Sequence, residues 1–239
     1  MGNVGKWKVE INRVGKALFI TGTGTDIGKT YVTGLIVKKI KEAGWKAGYY
    51  KAAMSGNERR GDGSLIPGDA AFVKEISGIS QPLSEMCPYV YEHAYSPHLA
   101  SRIEGNPVQM RVVLEAYEKV CEKYDYVTVE GSGGILCPIG YDGERIQLED
   151  IVKAMHIPSL LIADAGLGTI NSVVLTHEYM KARNMPVVGI IFNNWSGGVM
   201  QEDNLKMCEE MTGLKVLAKV SKDAADLEMD VDALLKLYA

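Results

Sequence analysis

The stretch Phe19-Ile20-Thr21-Gly22-Thr23-Gly24-Thr25-Asp26-Ile27-Gly28-Lys29-Thr30 joins an apolar run to a glycine-rich turn that ends in Gly-Lys-Thr. A helical pattern starts directly after it. Strand, glycine loop and helix in that order form a cradle for phosphate. Gly22, Gly24 and Gly28 let successive backbone N–H groups curl toward one anion. The helix presents its positive end to the same point. Lys29 adds a mobile cation for the outer phosphates, and the Thr30 hydroxyl is a ligand for magnesium. The spacing departs from the ordinary phosphate-loop pattern: the residue five before Gly28 is Thr23, and Gly22 lies one position further back. The alternative is a chance Gly-Lys-Thr in a surface loop, and the flanking strand and helix patterns weigh against it.

Other residues offer partners for that loop. Glu130 ends an apolar run in Val127-Thr-Val-Glu-Gly-Ser-Gly-Gly134. A carboxylate there can hold magnesium on the phosphates, or it can cap the N–H groups of the glycines behind it. Asp69 starts a short helix after a polar loop, as a plain N-cap or as a second metal ligand. Lys51 ends a second apolar run, where a lysine is less expected to be a solvated charge, so it can neutralise a phosphate or another anion. Asp164 ends a further run and rivals Glu130. Asn193 and Asn194 can read a base edge or serve a turn. His98, in Ser96-Pro97-His98, is a possible base but reads as structural.

The elements that must position these groups follow from periodicity. Short β-branched runs at Lys16–Thr21, Lys46–Ala52, Tyr124–Glu130, Pro158–Asp164, Val187–Phe192 and Lys215–Val220 read as strands. Helical patterns cover Lys29–Ala43, Asp69–Ile76, Pro107–Lys123, Thr169–Arg183, Val199–Met211 and Ala224–Leu237. Ser55–Gly68 is polar and glycine-rich, a loop. Tyr89, Tyr91 and Tyr95 lead into Ser96-Pro97-His98 as a polar-aromatic loop region. Near-continuous apolar strands separated by helices predict a parallel sheet covered on both faces. With right-handed crossovers this is a three-layer, doubly wound α/β fold. Ligands then sit beyond the carboxyl ends of the strands. Five such ends, at Thr21–Thr30, Lys51–Ser55, Glu130–Cys137, Asp164–Asn171 and Asn193–Asn194, are polar or glycine-rich, and their convergence is stronger evidence than any one of them.

The 239 residues, 46% hydrophobic and 23% charged, suit an ordinary globular chain. We expect one domain over residues 16–239, preceded by an N-terminal extension over 1–15. A net charge of −4 with scattered basic residues argues against nucleic acid or an anionic membrane as partner. Cys87, Cys121, Cys137 and Cys208 form no Cys-x-x-Cys and no zinc spacing, which suits reduced thiols in a cytoplasmic protein. The first residues hold no signal-like apolar core, Lys6 breaks the myristoylation pattern, and no run is long enough to span a membrane.

Several segments together resemble the dethiobiotin synthetase family, the ATP-dependent carboxylases of biotin biosynthesis. The family's phosphate loop, Gly-Thr-x-Thr-x-x-Gly-Lys-Thr, is one residue longer than usual, and Gly22 to Thr30 fits it. Tyr50-Lys51-Ala52-Ala53-Met54-Ser55-Gly56 is similar to its Tyr-Lys-Pro-x-x-Ser-Gly. Ser96-Pro97-His98, Val129 to Gly134, Gly166 to Asn171, and the strand from Gly189 to Asn193 match in the same order. The resemblance runs from about residue 16 to residue 220.

It implies a P-loop NTPase-type fold, and it implies roles. ATP would lie on Gly24, Thr25, Asp26, Ile27, Gly28, Lys29, Thr30 and Tyr31, with its adenine at Asn193. Lys29 and Lys51 would stabilise phosphates and carbamate, with Thr25 and Ser55 as hydrogen-bonding partners. Thr30, Asp69 and Glu130 would serve Mg2+. Ser55, Gly133, Gly168, Thr169 and Asn171 would hold the diaminopelargonic acid that CO2 carboxylates, its carboxylate tail at the turn from Gly166 to Asn171 across a homodimer interface. The chain departs from the family at Gly24 (often aspartate), Ala52 (usually proline), Asp164, and Lys219-Val220-Ser221, which lacks the family's proline. Two alternatives stay in view. An amide-forming ATPase of the same superfamily needs an ammonia-supplying domain, for which this chain has no room. A partition-type nucleotide switch carries a signature lysine where Gly24 stands, and often a membrane tail. Here Asp223–Ala239 is acidic on its polar face.

Overall fold

The computed structural model describes residues 14–239. The expected extension over 1–15 therefore lies almost wholly outside the described residues. The chain starts with β1 (Lys16–Gly22), α1 (Lys29–Glu42), β2 (Ala47–Lys51) and β3 (Ala53–Met54). Next come α2 (Gly68–Ser77), α3 (Leu83–Met86), β4 (Tyr89–Val90), α4 (Pro97–Ile103), α5 (Met110–Lys123) and β5 (Tyr126–Glu130). A small antiparallel pair, β6 (Pro138–Gly140) and β7 (Ile146–Gln147), leads into α6 (Leu148–Met155) and β8 (Ser159–Asp164). The chain ends with α7 (Thr169–Lys181), β9 (Val187–Trp195), α8 (Val199–Thr212), β10 (Val216–Ser221) and α9 (Val231–Leu235).

Six strands form the main sheet in the order β10-β9-β8-β1-β5-β2, all parallel. These are the six expected from the apolar runs. Alternation along each strand feeds two layers. Ala17 and Phe19 join Tyr50, Val127 and Val129 against α5 and α6. Leu18 and Ile20 join Tyr49 against α1, α2 and the C-terminal segment. β1 is central, with β5 on one side and β8 on the other, so its glycine loop emerges where connections leave in opposite directions. Ligand crevices form at such switch points.

The sequence reading needs correction at several places. The helix expected over Ala224–Leu237 is confined to Val231–Leu235, N-capped by Asp230, whose carboxylate accepts from Ala233 N at 2.8 Å. The residues before it run across α1 instead. Tyr31 donates its hydroxyl proton to Ala224 O, and Lys38 donates to Ala225 O at 2.9 Å and Asp226 at 2.5 Å. Carbonyls captured that way are not available to a helix. Ser96-Pro97-His98, expected as loop, opens α4 with Pro97 at the first turn, where a missing N–H costs nothing. α6 was not foreseen, although Gln147 and Asp150 form a reciprocal cap at its start. β9 runs on to Trp195, so Asn193 and Asn194 lie within the strand's end rather than beyond it.

Candidate active site

Register brings the chemistry together. Lys51 on β2 pairs with Glu130 on β5, and Glu130 pairs with Ile20 on β1, just before the glycine loop. Lys51 and Glu130 are both buried. The Lys51 ammonium donates to Glu130 Oε1 at 2.7 Å and to Asp69 Oδ2 at 2.6 Å. Thr30, in the first turn of α1, donates to Glu130 Oε1 at 2.9 Å and reaches Asp69 Oδ1 at 3.3 Å. Asp69 stands in the first turn of α2. Four residues expected separately from strand and helix ends thus form one cluster. Tyr49 completes it by donating to Glu130 Oε2 at 3.1 Å. Sequence reasoning missed Tyr49, although it lies two residues before Lys51 and so on the same face of the strand.

The charges act on one another. Burial pulls the Lys51 ammonium down, but the carboxylates of Glu130 and Asp69 outweigh it and its pKa is raised. Burial pushes Asp69 up, but the charge and hydrogen bond of Lys51 and the Thr30 hydroxyl hold it below the usual carboxylate range. Lys29 is lowered, first by burial and then by repulsion from Lys51. Burial, with the Glu130 charge behind it, pushes the Tyr49 phenol up, so Tyr49 stays a donor.

Of the three glycines read as the loop's curl, Gly28 alone is left-handed, while Gly22 still belongs to β1. Gly28 has φ 84° and Asp26 φ 56°, so the chain turns through left-handed conformations just before α1. No side chain caps the start of α1, which leaves its first N–H groups for an anion. Lys29 Nζ donates to Gly24 O at 2.7 Å across the loop. Asn193 donates from Nδ2 to Ile27 O at 2.9 Å, while its buried Oδ1 has no partner. That oxygen suits an amino donor such as the edge of adenine. Thr25 is exposed and faces Gly133, Ser55 is half-buried, and Tyr31 is tied to Ala224.

Other candidates fall elsewhere. Asp164 accepts from Gly166 N at 2.7 Å and from Asn194 Nδ2 at 2.6 Å, so both side chains pin the turn before α7. Neither side chain hydrogen-bonds to Lys51, Asp69, Glu130 or Thr30. His98 Nδ1 meets Ser96 Oγ at 3.0 Å and its ring packs on Tyr141, which fits the structural reading. At the start of α7, Gly168 is left-handed with φ 90°, no side chain caps the helix, and the buried Thr169 hydroxyl has no partner. Asn171 and Leu167 are exposed beside it. Cys137 is half-buried beyond the Gly133 turn, its thiol pushed up to about 11 by burial.

Among the described residues no group of three His, Cys, Asp or Glu side chains could hold a metal ion. The donor set is instead two carboxylates and a hydroxyl: Asp69, Glu130 and Thr30. All are hard oxygen donors, and magnesium is typically bound by one or two carboxylates plus water and substrate phosphate. The set fits that ion.

A family model described as an AAA domain matches residues 16–226. The ATP-dependent dethiobiotin synthetase of Brachyspira hyodysenteriae is 52% identical over 93% of this chain and 95% of its own length. That of Clostridium botulinum strain Loch Maree is 44% identical over 93% of this chain and 98% of its own. The chain belongs to the dethiobiotin synthetase family. Membership decides against the amide-forming and partition-type alternatives. Two solved structures nonetheless share the fold: the MinC:MinD cell division complex of Aquifex aeolicus and a ParA family ATPase of Chlorobium tepidum. Their TM-scores are 0.55 and 0.52, at 13% and 12% identity, each over 87% of this chain and over 82% and 84% of their own. At such identity the likeness is one of P-loop NTPase architecture alone.

Proposed function

We propose that this chain is an ATP-dependent dethiobiotin synthetase, a ligase of biotin biosynthesis that forms C–N bonds, with residues 16–239 acting as one P-loop domain. The convergence of Lys51, Asp69, Glu130 and Thr30 beside the glycine loop carries the reading. One amine of 7,8-diaminopelargonic acid adds to CO2 and loses a proton, giving a carbamate. A carbamate oxygen attacks the γ-phosphorus of ATP, ADP leaves, and a carbamic–phosphoric anhydride forms. The second amine attacks its carbonyl carbon, loses a proton and expels phosphate, which closes the cyclic urea.

Such a reaction asks the protein for positioning and charge neutralisation. Gly24 to Tyr31 hold the triphosphate through backbone N–H groups and the start of α1. Asn193 offers its unpartnered Oδ1 to the adenine. Lys29 and Lys51 are the cations for the transferring phosphoryl group and the carbamate, with Thr25, Ser55 and Gly133 around the reacting end. Thr30, Asp69 and Glu130 would hold Mg2+, which would supply charge neutralisation on the phosphate oxygens. The substrate carboxylate rests on Gly168, Thr169 and Asn171, where the free N–H groups of α7 and the unpartnered Thr169 hydroxyl await an acceptor. These groups belong to a second subunit of a homodimer.

No helix among the described residues is long and apolar enough to cross a membrane, and we infer a cytoplasmic enzyme. The test is ATP turnover by the purified chain with diaminopelargonic acid and bicarbonate, read as phosphate release and as dethiobiotin by mass. Phosphate release that ignores the diamine would sink the reading.

A further inference from the structure

The Lys51 ammonium bridges the oxygens that a divalent cation would need. It lies 2.6 Å from Asp69 Oδ2 and 2.7 Å from Glu130 Oε1, and the Thr30 hydroxyl donates its proton to that same Glu130 oxygen at 2.9 Å. Glu130 Oε2 is taken by Tyr49. A metal ion on this donor set therefore meets an ammonium on two of its carboxylate oxygens and a hydroxyl turned the wrong way. We propose that Lys51 is a built-in surrogate for the divalent cation, displaced from Asp69 and Glu130 when the cation arrives and thereby freed to meet the reacting anion. The inference rests on the metal assignment made under the proposed function.

Charge and burial support an exchange rather than a sharing. Lys51 and Glu130 are buried, and Lys29 stands close enough to repel Lys51. Adding two positive charges while both lysines stay would leave the cluster with excess positive charge in a poorly solvated place, which is costly. Exchanging one ammonium for one cation leaves two carboxylates whose charge the ion cancels, with Lys29 as the one remaining positive charge rather than two. The released lysine then needs a new anionic partner, because an unpaired buried ammonium is costly too. Lys51 ends β2 on a flexible four-carbon stem, and phosphate or carbamate oxygens are the anions this site would offer it. Thr30 must rotate its proton away from Glu130 to present a lone pair. The same substitution of cation for cation thus couples metal binding to anion binding, and such coupling is reciprocal.

Mn2+ as a spectroscopic stand-in for Mg2+ tests this on the full chain without nucleotide or diamine. The free Mn2+ signal in electron paramagnetic resonance gives the affinity of the wild type and of Lys51→Met, whose side chain keeps the bulk and drops the charge. The variant is expected to bind Mn2+ at least tenfold more tightly than the wild type. It should also melt at a lower temperature than the wild type in EDTA and gain more from Mn2+. Equal or weaker Mn2+ binding by a folded Lys51→Met chain overturns the exchange while leaving the metal site standing. Absence of Mn2+ binding by the wild type even with an ATP analogue overturns the metal assignment and the exchange together. If Lys51→Met does not fold, a crystal structure of the wild type with Mg2+ and a non-hydrolysable ATP analogue decides. Lys51 Nζ still hydrogen-bonded to both carboxylates at about 3 Å overturns the proposal. An ammonium moved off at least one of them onto a phosphate oxygen supports it.

Discussion

The side-chain amide of Asn193 occupies the space that a Cβ on Gly28 would need. A methyl group built there would overlap Asn193 Nδ2, the atom that holds the loop through Ile27 O at 2.9 Å. Gly28 also has φ 84°, which L side chains rarely adopt. Gly28→Ala is therefore expected to push Asn193 off the loop and to weaken binding of a fluorescent ATP analogue by more than about tenfold, since strain and clash each cost on the order of 1 kcal/mol or more. Gly24→Ala is the control. A Cβ at Gly24 meets nothing within 4 Å, so its affinity should stay close to that of the wild type. Equal losses in the two variants would refute the geometric account.

Lys29→Ala is expected to abolish turnover and leave the fold intact. Lys29 donates to the Gly24 carbonyl at 2.7 Å, and burial and Lys51 together lower its pKa. Removing its charge relieves the burial of an ammonium first and the repulsion from Lys51 second. Loss of one positioned donor to a developing phosphoryl charge costs roughly 100-fold to 1,000-fold in kcat. A folded Lys29→Ala chain with near-normal kcat would remove Lys29 from the reaction.

Glu130→Gln and Asp164→Asn separate the two carboxylates that end neighbouring apolar runs. Glu130 is 2% exposed and holds Lys51, Thr30 and Tyr49. Its neutralisation leaves Lys51 with Asp69 alone, so we expect a loss of about 2–4 kcal/mol in stability and of most Mg2+-dependent turnover. Asp164 serves the Gly166 turn and Asn194. Asp164→Asn should leave Mn2+ affinity unchanged and act, if at all, on the Michaelis constant for the diamine. The assignment fails if Asp164→Asn impairs metal binding more than Glu130→Gln does.

The cluster also sets an acid limb of stability. Asp69 is held below its ordinary range, its burial outweighed by Lys51. A depressed carboxylate stabilises the fold above its unfolded pKa of about 3.9 and loses that contribution as pH falls through the lower folded value. Lys51 is raised, so its contribution is fully present below about pH 10 and is lost only in strong alkali. Melting temperature should therefore be flat in respect of this cluster between about pH 5 and 9 and fall below about pH 4. Asp69→Asn is expected to lower the neutral plateau and to flatten the acid limb, as followed by circular dichroism. An acid limb equally steep in Asp69→Asn would show that other groups cause it.

These residues were legible because parallel strands buried on both faces read as continuous apolar runs, and polar residues at their ends stand out. That is how Lys51, Glu130 and Asp164 were found, and how all six strands of the main sheet were recognised. Their grouping was not legible: only register shows that Lys51 and Glu130 adjoin and that Asp164 turns away. Tyr49 was hidden because a tyrosine in an apolar run reads as core. The final helix was overextended because the pattern from Ala224 is compatible with a helix, whereas Tyr31 and Lys38 hold that segment's carbonyls from outside it. α6 escaped because eight residues give barely two turns of periodicity.

The last expectation concerns assembly. At the start of α7 the turn holds a left-handed Gly168, uncapped helix N–H groups and a buried Thr169 hydroxyl without a partner. Free N–H groups at a helix start favour an anion. Leu167, 92% exposed, and Leu175, 62% exposed, flank this turn and the helix behind it. Large side chains left in solvent around an anion site are what a two-fold interface would cover. Asn171 of one subunit would then reach the substrate whose amines lie at Lys29 and Lys51 of the other. Light scattering should give the mass of a dimer, and Leu167→Lys should shift it toward the monomer. Lys29→Ala and Asn171→Ala homodimers are each expected to be inactive. Mixed and allowed to exchange, they form hybrids in which one of the two sites keeps both residues, so about a quarter of wild-type activity per total subunit should return at random mixing. If activity stays at the level of the separate variants while exchange is verified by mass spectrometry, Asn171 serves the site of its own chain and the shared site is refuted.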